Sequence, residues 1–269
     1  MLVNGKPGNL ISIRDRGLLY GDGVFRTLRA VRGKARHWPL HYQKLQHDCA
    51  VLGIVCPDEA ALSAELNNVL GQHPDGVLKL IVTRGEGARG YAPPASAKPT
   101  HIWDAGRLPD YPADWGTHGI KARLCQLRLS SQPCLAGIKH LNRLENMLAA
   151  AECNDADIAE GILLDASNNV IEGTRSNLFM VRDGALLTPD LRQCGVAGVQ
   201  RERVMEWAAA HKLACRVEQF GMAELLLADE IFLVNSIIGL WPVRELQGRN
   251  WNHHPISFQL QEWLNHASD

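Results

Sequence analysis

From residue 11 to residue 38 the chain reads "ISIRDRGLLYGDGVFRTLRAVRGKARHW". Apolar and polar positions alternate between glycine turns, and a period of two predicts strands in a meander. The period lengthens at Pro39, where "PLHYQKLQHDCAVLGI" sets Leu40, Leu45, Cys49 and Leu52 on one helical face. "DEAALSAELNNVL" predicts a second helix, opened by acidic residues that suit the positive end of the helix dipole. "GVLKLIVTR" predicts a buried strand and "THIWDAG" another. "AGRLPDYPADWG", residues 105 to 116, has two prolines and mixed polarity and predicts a linker. The expected organisation is an N-terminal subdomain over 1–106, a linker over 107–115 and a C-terminal subdomain over 116–269.

Beyond the linker, "GIKARLCQLRL" predicts a strand with imperfect alternation. Residues 135 to 149, "LAGIKHLNRLENMLA", place Lys139 at the end of a short apolar run. Leu141, Leu144, Met147, Leu148 and Ala151 then follow at helical spacing, predicting a core helix with Arg143, Glu145 and Asn146 on its other face. The strand "EGILLD", the turn "ASNN", the strand "VIEG" and a hairpin "SNLFMVRDGALLTP" about Asp183-Gly184 come next. A helix "GVQRERVMEWAAAHK", a strand "LACRVEQ", a short helix "MAELLLAD", a strand "EIFLVNS" and a terminal helix "PISFQLQEWLNHA" complete the pattern. There is no internal repeat and no strict strand–helix–strand rhythm, so the expected class is α+β with two subdomains.

Composition narrows the function classes. A length of 269 residues with 46% hydrophobic and 21% charged positions fits an ordinary globular protein. Lys plus Arg number 28 against 29 Asp plus Glu, so no global field directs the chain to nucleic acid or to a membrane. No apolar run approaches the roughly 20 residues a membrane-spanning helix needs. "MLVNGKPGNL" lacks the basic start and apolar stretch of a secretion signal. Seven scattered cysteines without a C-x-x-C predict reduced thiols in a cytoplasmic protein, not a disulfide frame or a zinc site.

"GEGARG", residues 85 to 90, satisfies G-x-G-x-x-G, but a dinucleotide site needs a helix opening inside the motif. "YAPPASAKP" follows, and adjacent prolines argue for a loop displaying Arg84, Arg89 and Tyr91. No G-x-S-x-G supports a serine hydrolase. His37 and His41 are four apart with Pro39 between them, and no metal site is expected. Lys139 remains. Taken alone it reads as a lysine snorkelling from a helix start; but burying a lysine is costly unless it is neutralised, and imine formation does that.

The rest of a Schiff-base site is then found in order along the chain. "GDGVFRT", "AGIKHLNRLENMLA", "VIEGTRSNLF" and "GVAGVQRERV" resemble the fold-type IV pyridoxal-phosphate enzymes, over nearly the whole sequence. That group contains branched-chain aminotransferases, D-amino-acid aminotransferases and aminodeoxychorismate lyases; "LAGIKHLNRLE" with "TRGEGARGY" is most similar to the lyase branch. The resemblance implies pyridoxal 5'-phosphate as cofactor, a homodimer, and conversion of 4-amino-4-deoxychorismate to 4-aminobenzoate and pyruvate for folate synthesis. It implies Lys139 as the cofactor-bearing and proton-moving residue and Glu172 as the acid facing the pyridine nitrogen. Phosphate would be held by Val199 and Gln200 at a helix start, with Asn235 and Ser236 from "VNSIIGLWPV". Lys44 stands in "HYQKL" where the group usually has arginine, keeping the charge without the planar fork. Phe25 replaces the tyrosine of D-amino-acid aminotransferases. Arg26, Arg84 and Arg89, with Tyr91, are the candidates for the two substrate carboxylates, and Thr27 for a carboxylate or a water. The alternatives are an aminotransferase for D-amino or branched-chain amino acids, sharing Lys139 and Glu172, and a non-catalytic ligand-binding protein.

Overall fold

A computed structural model describes residues 1–153 and 155–266. The described residues form two compact units, one of Met1–Pro109 together with Ile138–Asn142, the other of Asp110–Gly137 together with residues 143–153 and 155–266.

The first unit contains β1 (Leu2–Val3), β2 (Lys6–Pro7), α1 (Arg16–Tyr20), β3 (Gly23–Val31), β4 (Lys34–Ala35), α2 (Trp38–Leu52), α3 (Glu59–Gln72), β5 (Gly76–Thr83) and β6 (Thr100–Gly106). Its sheet runs β2-β1-β6-β5-β3-β4 and every pairing is antiparallel. Leu28, Leu78, Leu80 and Trp103 from one sheet face pack with Leu45 of α2 and Leu62 of α3 in a single core. The α3 start follows from sequence, since the Asp58 carboxylate caps the Ala60 and Ala61 N–H groups at 2.9 and 3.2 Å. The predicted meander is interrupted, because residues 16–20 are a one-turn helix. Asp15 accepts from Gly17 N–H at 2.8 Å at its start, and Gly21 with φ +66° ends it. So short a helix carries no periodicity of its own; only its caps mark it.

The second unit contains β7 (Ile120–Leu129), α4 (Leu144–Ala151), β8 (Ile158–Asp165), β9 (Val170–Gly173), β10 (Asn177–Arg182), β11 (Ala185–Pro189), α5 (Val199–Ala210), β12 (Cys215–Glu218), α6 (Met222–Leu225), β13 (Glu230–Asn235), β14 (Gly239–Leu246), β15 (Arg249–Asn250) and α7 (Pro255–His266). The sheet order is β12-β11-β10-β13-β14-β7-β8-β9, with β15 on β14, and it mixes parallel with antiparallel pairs. β10 lies inside it, so its run "LFMV" is apolar on both faces. Leu178 and Met180 enter one core with Ile231 and Trp241. Phe179 and Val181 enter another with Trp207 of α5 and Leu260 of α7. The expected hairpin turns at Asp183 and Gly184, both left-handed (φ +51° and +72°).

The helix after Lys139 corrects the sequence reading. Residues 138–142 run extended beside β3, with Phe25 N–H donating to the Lys139 carbonyl at 3.0 Å and Leu141 N–H to the Gly23 carbonyl at 2.9 Å. The helix begins only at Leu144, and Leu144, Met147 and Leu148 are 71, 64 and 61% exposed. Ala149 supplies the buried side. Periodicity found the apolar stripe but not which way it faces.

Candidate active site

In the first unit the residues of interest sit on β3, α2 and the 138–142 segment. β3 puts Val24, Arg26, Leu28 and Ala30 on the core side, leaving Phe25, Thr27 and Arg29 on the other. Arg26 therefore occupies a core position, 2% exposed, where a lone guanidinium would be prohibitive. Asp48 of α2, fully buried, pairs with it. The same carboxylate also takes Lys44 Nζ at 2.5 Å, His47 Nδ1 at 3.1 Å and the Lys139 backbone N–H at 2.9 Å. Burial pushes the Asp48 carboxyl up, but the Arg26 and Lys44 charges and the Lys139 N–H outweigh it and hold the group below its ordinary range. His41 is driven down to about 3, first by burial and then by the positive charges of Arg26, His37 and Lys139. It is a neutral imidazole at neutral pH.

The Lys139 ammonium stands over the Phe25 ring, 4.7 Å from its centroid, and Lys79 Nζ stands 5.2 Å from the same ring. Across the strands Phe25 faces Ile81, Thr27 faces Lys79 and Arg29 faces Val77. Thr27, Arg29 and Lys79 thus share the face of Phe25. Arg29 Nε is buried and has no hydrogen-bond partner among the described residues. Arg29 and Lys79 were not singled out in the sequence, although reading "FRTLR" in register from Phe25 places both residues of the pair Phe25 and Arg29 on one side.

Arg26 lies on the core face with Asp48. Arg84 grips Asp22 through Nε at 2.7 Å and Nη2 at 3.1 Å, and donates to the Gly53 and Leu52 carbonyls at 2.7 Å each. Arg16 donates to the Gly90, Tyr91 and Ala92 carbonyls and so shapes the glycine-rich loop, which continues into turns and not a helix. Arg89 is exposed, and Tyr91, 87% exposed, leans on Tyr20 at 5.5 Å between ring centroids.

In the second unit Glu172 is buried on β9. Its Oε2 accepts the Val196 N–H at 2.8 Å and its Oε1 the Asn146 amide at 3.4 Å. Asn177, at the start of β10, donates to the Val196 carbonyl at 2.6 Å and accepts the Gly198 N–H at 3.0 Å. One side chain thereby ties the Glu172 partner to the entry of α5. Gly198 enters that helix with extended backbone and no side-chain cap. The first-turn N–H groups, those of Val199 and Gln200 included, have no intrahelical acceptor, and with the helix dipole they suit an anion. Gln200 Oε1 holds Arg203 at 2.9 Å. Asn235 Oδ1 accepts the Ile237 and Ile238 N–H groups at 2.8 and 2.9 Å, closing the turn that carries Ser236. Sequence reasoning missed Asp48, Asn146, Asn177 and Val196. Asp48 and Asn177 leave one trace, a polar residue on a buried helix face and at the head of an apolar strand.

The sequence profile of the amino-transferase class IV family matches residues 23–246. The chain is 36% identical over 242 residues to an aminodeoxychorismate lyase of Vibrio harveyi, covering 90% of this chain and 89% of that one. It is 32% identical over 254 residues to a putative branched-chain-amino-acid aminotransferase of Methanocaldococcus jannaschii, covering 91% and 86%. The crystal structure of 4-amino-4-deoxychorismate lyase from Pseudomonas aeruginosa superposes with a TM-score of 0.95 at 47% identity, over 98% of this chain and 97% of that one.

Proposed function

The chain belongs to the class IV aminotransferase family, and from that membership we propose that it is a pyridoxal-phosphate-dependent lyase converting 4-amino-4-deoxychorismate to 4-aminobenzoate and pyruvate. The observation that carries this reading is the 47% identity and near-complete superposition with a lyase of that specificity. The aminotransferase relative stands at 32%.

The residues present fit the cofactor. An uncapped α5 start offers N–H groups to a phosphate, a buried Glu172 carboxylate suits a protonated pyridine nitrogen, and the Lys139 ammonium is stationed over an aromatic face. When bound, the cofactor supplies an electron sink for charge that develops on a substrate carbon. Lys139 Nζ is assigned as its covalent attachment point. With cofactor and substrate bound, the Lys139 amine would be the base that takes the proton from the amine-bearing ring carbon. It then delivers a proton to the enolpyruvyl oxygen as the ether bond breaks, and aromatisation of the ring drives the step. Glu172 would keep the pyridine nitrogen of the bound cofactor protonated. Val199, Gln200, Asn235 and Ser236 are assigned to the phosphate, with Lys44 as its point-charge cation. For the substrate carboxylates we assign Arg29 and Lys79, which share a strand face with Phe25 and Thr27, and the exposed loop residues Arg89 and Tyr91. Thr27 orients a carboxylate or a water. Arg84 and Arg26 are given structural roles, since Asp22 and Asp48 engage them.

The reading includes a homodimer, supported by the outward strip Leu144, Met147 and Leu148, an apolar surface of the kind that protein partners cover. It also includes the cytoplasm, supported by seven free cysteines. No described helix is long and apolar enough to cross a membrane.

The deciding experiment supplies aminodeoxychorismate to the cofactor-loaded enzyme without any keto acid. We expect 4-aminobenzoate and pyruvate in equal amounts, and borohydride to fix the cofactor on Lys139. If that substrate is untouched while D-alanine or a branched-chain amino acid turns over with 2-oxoglutarate, the lyase reading is overturned in favour of an aminotransferase.

A further inference from the structure

The buried carboxylate of Asp48 has more partners than charge neutralisation of Arg26 requires. One of them is a backbone group, the Lys139 N–H, at 2.9 Å. The Lys139 carbonyl is fixed from the other direction by Phe25 N–H at 3.0 Å. The peptide groups on both sides of the Lys139 Cα are thus tied, one to α2 and one to β3. This sets where the Cα–Cβ bond points and hence where the amine arrives above Phe25. Leu141 N–H also holds the segment to the Gly23 carbonyl of β3, while these two bonds act on the N–H and the carbonyl of Lys139 itself.

We propose that Asp48 is a positioning residue for Lys139, acting through the hydrogen bond from the Lys139 backbone N–H and not only as the counter-ion of Arg26. The proposal rests on the reading of Lys139 as the reactive amine. Asp48 touches neither substrate nor cofactor. Its two duties separate chemically: the counter-ion duty needs a negative charge, whereas the positioning duty needs only an oxygen acceptor at the place of Oδ2.

Two double variants isolate them. Asp48→Asn with Arg26→Met removes the buried ion pair but leaves an amide oxygen for the Lys139 N–H. Asp48→Leu with Arg26→Met removes the ion pair and the acceptor together at similar volume, an exchange that buried ion pairs commonly tolerate. The first readout is amide hydrogen exchange at Lys139 in the cofactor-free protein. The wild type and the Asn variant should protect that amide, and the Leu variant should lose at least about tenfold of its protection, as expected for a net hydrogen bond of about 1.4 kcal/mol. The second is turnover, where the Leu variant should lose roughly 10- to 100-fold in kcat with KM little changed, the scale of a misplaced catalytic group. The Asn variant should stay within a few-fold of wild type.

Equal exchange in the two variants overturns the proposal and leaves Asp48 as a counter-ion alone. Equal loss of kcat in both overturns it too, because charge and not the acceptor is then what matters. If the Leu variant fails to fold, Asp48→Val with Arg26→Met takes its place with the same expected losses, and an unprotected Lys139 amide in the native wild type refutes the proposal outright. The exchange readout needs neither cofactor nor substrate, so a failed lyase assignment and a failed positioning role give different results.

Discussion

The surroundings of Lys139 and of Glu172 are built from different materials. Around Lys139 the chain buries charge: Arg26 and Lys44 converge on Asp48, and His41 is forced neutral beside them. Around Glu172 it gathers amides, namely the buried Val196 N–H, the half-buried Asn146 side chain and Asn177 bridging to Gly198. Charges interact over several ångströms and respond to pH, whereas amide hydrogen bonds act only at contact and do not titrate. The lysine region is therefore tuned by the balance of ions and the glutamate region by shape. Substitutions that keep shape but change charge should be mild for the fold around Glu172 and severe for its chemistry.

That contrast is sharpest in Glu172→Gln. The glutamine oxygen can still accept the Val196 N–H, so cofactor retention and thermal midpoint should stay close to wild type. Turnover should fall on the order of 100- to 1000-fold, the usual consequence of deleting one preorganised electrostatic partner of the reacting system. A kcat within a few-fold of wild type would show that Glu172 is a framework residue only.

A smaller effect is expected at Lys44, whose ammonium now pairs with Asp48 four residues on. Lys44→Ala should weaken cofactor binding by about tenfold, the scale of one charge-assisted hydrogen bond. Lys44→Arg should hold the affinity or tighten it, because a guanidinium can serve a phosphate through two parallel bonds. Titration of the cofactor-free protein followed by absorbance measures both. An unchanged dissociation constant in Lys44→Ala would reduce this residue to a helix ion pair.

How much of this was legible differs between the same two regions. The strand "NLFMV", the Asp183-Gly184 turn and the Asp58 cap are local signals and could be read directly. Glu172 could be read as a strand-end acid, and the resemblance added its role. Its main partner could not, because a backbone N–H such as that of Val196 has no residue type to betray it. Arg26 misled for a different reason. A motif arginine reads as a surface cation, and only Asp48, 22 residues away, makes its burial affordable. Such a pair is invisible until the helix is folded against the strand. Leu144, Met147 and Leu148 show a third limit, since a stripe of apolar residues has the same period whether it meets the core or a partner.

Just below pH 6.5 the smallest effect is expected at His41, and it tests whether burial and the neighbouring charges hold that ring neutral. Its imidazole has an ordinary value of 6.5 and is held at about 3 in the folded protein. Between those values the unfolded chain binds a proton that the folded chain refuses. Stability must then fall as pH drops below 6.5, by about 1.4 kcal/mol per pH unit, and the slope should level off near the folded value. Asp48 acts in the same sense but lower, since a depressed carboxylate stabilises fully above its ordinary value of 3.8 and loses that contribution as pH falls through its folded value. His254 in the second unit is also pushed down, mainly by burial, so some slope remains without His41. Thermal midpoints of the cofactor-free protein, taken from pH 7.5 to about pH 4.5, should therefore separate wild type from His41→Asn progressively below pH 6.5. Wild type should lose ground and the variant should lose less. Parallel curves across that range would mean that His41 takes up its proton in the folded state near its ordinary value, and that neither its burial nor the charges around Lys139 hold it neutral.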